Sequence, residues 1–111
     1  MRCLGQMGPD TVKEAYPNQG IYERYGFKCA YCGIDGSNNF EVFWLANFNI
    51  DHIKPVSKGG TDADENKALA CRACNLYKGA ADCNTIEEAR QIVAQKKAQA
   101  EAWYKTYVLK K

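Results

Sequence analysis

The chain has 111 residues, room for one small domain that buries only about 60 to 70% of the surface its unfolded form exposes. At 46% hydrophobic and 25% charged residues, with a mean hydropathy of −0.51, it has a soluble composition, and no apolar run approaches the roughly 20 residues that cross a bilayer. The formal charge of +2 neither demands nor excludes a nucleic-acid partner, so any basic surface has to come from local clustering. MRCLGQMGPD holds no basic segment followed by an apolar one, so no signal peptide is expected and a cytoplasmic location is the default.

Residues 1–20 carry two prolines and three glycines and read as an irregular N-terminal arm, with one short helical turn near Thr11 to Tyr16. IYERYGF (21–27) suits a helical turn leading into Cys29, and KCAYCG (28–33) a tight turn. FEVFWLANFNI (40–50) is aromatic and β-branched, and predicts one or two extended segments. SKGGTDADEN (57–66) is a loop by its Gly, Ser and Asp content, KALAC (67–71) a short apolar piece, and RACNLYKG (72–79) a helix stopped at Gly79. Thr85 and Glu88 match a capping box, and Ile86, Ala89, Val93, Ala100, Trp103 and Tyr107 recur at helical spacing. They predict a helix from about 86 to about 108, within an amphipathic segment 85–111 that packs on a core spanning 21–84; a dimer interface is the other use of its stripe.

Six cysteines are many for this length, and without a signal peptide metal binding is a better first reading than disulfides. Cys29-Ala-Tyr-Cys32 and Cys71-Arg-Ala-Cys74 are paired knuckles, and four thiolates suit tetrahedral Zn²⁺ in a closed, structural site. The 38 residues between the pairs exceed the spacing of compact zinc ribbons, so the clamp encloses a substantial insertion. Cys3 and Cys83 are left over as free thiols.

The insertion holds NIDHIKP, with His52 the single histidine of the chain. Asn66 follows fourteen residues later and Asn75 nine after that, directly behind the last knuckle cysteine. Asp51 offers a hard oxygen and Asn75 an amide oxygen, a pair able to hold Mg²⁺ or Mn²⁺ with positions left for water and phosphate. On a strand, His52 points away from Asp51 and is free to face the substrate as a general base. Taken singly, each residue has a plainer reading: a satisfied histidine, a turn asparagine, a helix cap.

From Cys29 to Cys32, and then through IDHIKPVSKGGTDADENKALACRACNLYKG (50–79), the sequence resembles the HNH endonucleases that carry two CxxC knuckles. The resemblance covers about residues 27 to 80. It implies a small α+β fold, a ββα-metal core stapled by a four-cysteine zinc site and followed by the long C-terminal helix. It implies an endonuclease that hydrolyses phosphodiester bonds of DNA, leaving a 5′ phosphate and a 3′ hydroxyl. It assigns His52 as the base that activates water, Asn66 as the residue that steadies the histidine-bearing loop, and Asp51 and Asn75 as ligands of a catalytic Mg²⁺ or Mn²⁺. Because asparagine stands where the last histidine usually does, this is an HNN variant. Some relatives, such as the colicin nucleases, have a further histidine ligand where this chain has Gly79. Lys78 would contact phosphate, and Lys54 and Arg72 are the other expected contacts near the motif; Asp62, Asp64 and Glu65 dilute that basic cluster. DNA is the expected partner, of a monomer or a homodimer. The alternative is a non-catalytic zinc module that binds nucleic acid or a protein.

Overall fold

A computed structural model of the chain describes residues 18–110; the turn expected near Thr11 to Tyr16, and Cys3, lie outside the described residues. The elements run α1 (Gln19–Arg24), α2 (Phe40–Ala46), β1 (Asn49–His52), β2 (Lys67–Ala70), α3 (Arg72–Lys78) and α4 (Ile86–Tyr104). Single 3₁₀ turns at Val56–Lys58 and Asp64–Asn66 lie between the strands, and a π turn at Lys105–Leu109 closes α4. The two strands pair antiparallel, with Asn49 opposite Ala70 and His52 opposite Lys67, and α3 follows directly. A small α+β unit with a ββα centre is thus present, as the motif implies.

The extended reading of residues 40–50 is corrected over its first part, because Phe40–Ala46 is helical and only Asn49–His52 is strand. Local chemistry overrides the β-prone composition. The Asn39 side chain accepts the Val42 amide proton at 3.1 Å and so caps the first turn. Phe40 and Trp44, one turn apart, stack at 6.0 Å between ring centroids. Asn47 then takes a left-handed conformation (φ 47°) that ends the helix, and the chain turns into β1.

β2 is the most deeply buried element: Ala68, Leu69 and Ala70 are inaccessible to solvent. Ala30, in the first knuckle, donates its amide to the Leu69 carbonyl at 2.7 Å, which docks that knuckle on the free edge of β2. α1 braces the start of the same strand, where Arg24 donates to the carbonyls of Asp64 (2.8 Å) and Lys67 (2.7 Å) and Tyr25 donates to Lys67 (3.3 Å). Phe48, Ile53 and the knuckle cysteines complete this core. No helix among the described residues is long and apolar enough to cross a membrane.

α4 starts as expected. Thr85 Oγ1 accepts the Glu88 amide at 3.2 Å, while the Glu88 carboxylate reaches back to the Asn84 amide at 3.1 Å. Ala89 and Val93 are buried against the core, with Ile86 and Ile92 packed beside them. The expectation that the whole segment 85–111 packs on the core is corrected: every residue from Ala94 to Lys110 is exposed, Trp103 and Tyr107 at 60% each.

Candidate functional site

The first knuckle is shaped by its backbone. Gly33 occupies the left-handed region (φ 81°) and returns its amide to Cys29 O, while the amides of Tyr31 and Cys32 point at Cys29 Sγ at 3.4 and 3.5 Å. Amide protons aimed at a sulfur favour the thiolate. The second knuckle spans the start of α3, and the four sulfurs of Cys29, Cys32, Cys71 and Cys74 lie within 4.8 Å of one another. Cys32 Sγ and Cys71 Sγ stand 3.7 Å apart, far beyond a disulfide and close to the edge of about 3.8 Å that a tetrahedron of 2.3 Å zinc–sulfur bonds requires. The donor set and its geometry fit a structural Zn²⁺.

These thiols share protons unequally. Cys29 is drawn down to about 4 by the Cys74 thiol that donates to it, despite its burial. Cys71 is pushed up to about 11 by burial, and Cys74 is also raised, first through its hydrogen bond to Cys29. Cys83 belongs to no cluster. It is fully buried and donates its S–H to the Ile53 carbonyl at 2.9 Å, which ties the end of β1 to the segment before α4.

β1 sends its side chains alternately. Asp51 is buried, and its Oδ2 accepts a hydrogen bond from Tyr31 Oη at 2.5 Å and pairs with Lys78 Nζ at 3.1 Å. Burial, and then this carboxylate, drive the Tyr31 hydroxyl well above the usual phenol range, so it stays protonated and donates. Asp51 Oδ1 makes no hydrogen bond to the described residues. His52 faces outward, with Nε2 at 2.8 Å from Asp62 Oδ1, in the loop between the strands. That contact, first, and Lys67 second, hold the exposed Asp62 carboxyl below its ordinary range.

Asn66 closes the same loop from behind. Its Oδ1 accepts the Lys54 amide at 2.9 Å, and its Nδ2 donates to the carbonyls of Lys54 (2.9 Å) and Thr61 (2.7 Å). One amide side chain thus pairs both polar groups of the residue two positions after His52. Gly60 packs beneath this clasp so closely that an added Cβ would sit 1.9 Å from the Lys54 carbonyl oxygen. Asn75, half-buried in the middle of α3, makes no side-chain hydrogen bond to the described residues.

The structure brings Asp51, His52 and Asn75 to the wall of one open hollow of about 280 Å³, which Ile50, Pro55, Gly79 and Ala80 also line. It does not bring the three expected phosphate contacts there as free cations. Lys78 is the clearest correction. Its side chain is wholly buried, and its ammonium is held by Asp51 and by the His52 carbonyl at 2.9 Å, so it has no face for a phosphate. Lys54 reaches instead to Asp82 (2.9 Å) and Asn84 (3.0 Å). Arg72 is exposed but borders a different, apolar hollow beside Cys71, with Ile34, Val42 and Leu45. Tyr31 and Asp62 carried no expectation as partners of the site. Tyr31 lies twenty residues from Asp51, and no spacing rule joins them; Asp62 looked like one acid among several in a loop.

A two-stranded ββα unit carries a four-cysteine cluster on one side and an acid, a histidine and an asparagine on one hollow. Residues 29–81 match the family model described as HNH endonuclease. Among curated proteins and among solved structures, nothing matches the chain.

Proposed function

We propose that the protein is a metal-dependent endonuclease that hydrolyses phosphodiester bonds of DNA, leaving a 5′ phosphate and a 3′ hydroxyl. The observation that carries this is the convergence of Asp51, His52 and Asn75 on one hollow inside the family segment. The donors there suit a hard divalent cation such as Mg²⁺ or Mn²⁺. Asp51 Oδ1 and the Asn75 side-chain amide oxygen make no hydrogen bond among the described residues, and both residues line the same space. Such an ion, when bound, supplies positive charge for the phosphate and the departing 3′ oxygen.

The chain's own residues do the rest. Asp62, ionised and on Nε2, favours the tautomer with its proton on that nitrogen, which leaves Nδ1 with the lone pair that takes a proton from water. The water then attacks phosphorus in line, the P–O3′ bond breaks, and the departing 3′ oxygen takes a proton from solvent. Asn66 holds the Lys54 backbone and therefore the direction in which β1 leaves His52. Tyr31 and Lys78 fix the Asp51 carboxylate from the core side, so its open oxygen keeps one orientation.

The test is conversion of supercoiled plasmid to nicked circles in Mg²⁺ or Mn²⁺. A positioned base contributes about 10²- to 10⁴-fold, so His52→Ala is expected to lose at least a hundredfold in rate. Equal nicking by the two proteins would remove His52 from the role. No nicking by the wild type with either metal would favour a non-catalytic zinc module.

A further inference from the structure

The centre just described is poorly equipped to attract a polyanion. Lys28, Lys54, Lys67 and Lys78 are each paired with an aspartate. Arg24 and Arg90 donate guanidinium protons to backbone carbonyls. Before the exposed end of α4, Lys58 and Arg72 are the other exposed cations without an ion pair among the described residues, and the larger excess of charge lies elsewhere. Residues 94–111 contain five lysines and one glutamate, a net +4; since the chain totals +2, residues 1–93 total −2.

We infer that the exposed end of α4 and its π turn form a DNA-gripping arm that supplies the affinity the hollow lacks; this rests on the nuclease reading for its substrate. Lys97, Lys105 and Lys110 make no ion pair among the described residues, and all three are exposed. Trp103 and Tyr107, exposed and 5.6 Å apart between centroids, offer flat rings next to these charges. Lysines interleaved with exposed aromatics serve phosphates and bases together.

The arm also starts beside the hollow. Lys96 donates to the Lys78 carbonyl at 3.4 Å, which anchors this face of the helix at the end of α3, where the next residues, Gly79 and Ala80, line the hollow. Trp103 and Tyr107 follow Lys96 on that face at seven and eleven residues. At 1.5 Å per residue Tyr107 stands about 16 Å beyond the anchor, the length of about five base-pair steps. A strand seated in the hollow is therefore within reach of the arm. A second copy of the chain is the poorer occupant, because pairing two such arms would set +4 against +4.

The experiment measures anisotropy of a labelled 20-base-pair duplex against salt, with sedimentation of the protein alone and plasmid nicking alongside. Lys97→Gln/Lys105→Gln/Lys110→Gln is expected to bind at least tenfold more weakly at 50 mM salt and to lose about 2.7 from the magnitude of the log–log salt slope. Trp103→Ala/Tyr107→Ala is expected to lose about tenfold on a single-stranded 20-mer. His52→Ala should bind as the wild type does. Unchanged affinity and slope in the lysine variant, with nicking intact in the wild type, would overturn the arm and leave the nuclease. Weakened binding by the variants of a wild type that never nicks would leave the arm and overturn the nuclease. A dimer that the aromatic variant dissolves, with DNA binding unaltered, would assign this face to a second copy and overturn the inference. No binding by the wild type would overturn both readings.

Discussion

At the scale of single residues, the hollow depends on charges that are hidden from the solvent. Lys78 is wholly buried and its ammonium has two partners, Asp51 and the His52 carbonyl. Removing one member of such a pair strands the other, at a cost of about 3–5 kcal/mol. Lys78→Ala is accordingly expected to lower the urea midpoint sharply, and a phosphate-binding lysine would instead leave the midpoint alone and weaken DNA binding. Asp62 is the opposite case. It is exposed and holds only its neighbours' polar groups, His52 above all, so Asp62→Ala should leave the melting temperature unchanged. Nicking should nonetheless slow at least tenfold, mainly in kcat, because the ring loses its orienter and its tautomer. A melting loss with normal nicking would show Asp62 to be a structural residue.

At the scale of elements, the loop between β1 and β2 works as one clasp. Asn66 pairs with Lys54 across twelve residues, and Gly60 lies under the Lys54 carbonyl with no room for a methyl group. Gly60→Ala must push that carbonyl away from Asn66. The expected cost is about 2 kcal/mol, read as a melting temperature lowered by about 10 °C, with nicking reduced alongside. An unshifted melt would mean the loop yields freely and the clasp holds nothing. Much of this architecture was legible in the sequence. The knuckle spacing, the Gly79 stop and the Thr85 cap are local signals, and each shows in the fold where it was expected. The helix at Phe40–Ala46 was not legible, since its aromatic run suits a strand and the decision falls to one cap, Asn39, and one reversal, Asn47. Nor was the inward turn of Lys78, because a lysine on a short helix looks the same in sequence whether it meets water or a buried carboxylate.

At the scale of the molecule, zinc loading and folding are expected to form one equilibrium. Both knuckles attach to β2, the first through Ala30 and Leu69 and the second by following directly in sequence, so the cluster closes a loop around the whole insertion. Without metal, the four sulfurs share a pocket in which one thiolate, Cys29, is stabilised by a neighbouring thiol, while Cys71 and Cys74 are raised above neutrality. Zinc takes thiolates, so at neutral pH its entry must expel at least the protons of Cys71 and Cys74. The sign follows: lowering the pH opposes loading, and raising it toward about 11, where Cys71 gives up its proton unaided, relaxes the dependence. At least two displaced protons make the apparent zinc affinity change at least about a hundredfold per pH unit near pH 7. Competition with a chromophoric chelator between pH 6 and 8 measures this slope, and circular dichroism reports the fold on the same samples. The two signals should fall together as the pH drops, since structural sites of this kind contribute on the order of 10 kcal/mol and a domain of this size has little core to replace it. Zinc loss at a pH where the ellipticity and the melting transition persist would mean that β2 and its neighbours fold without the clamp.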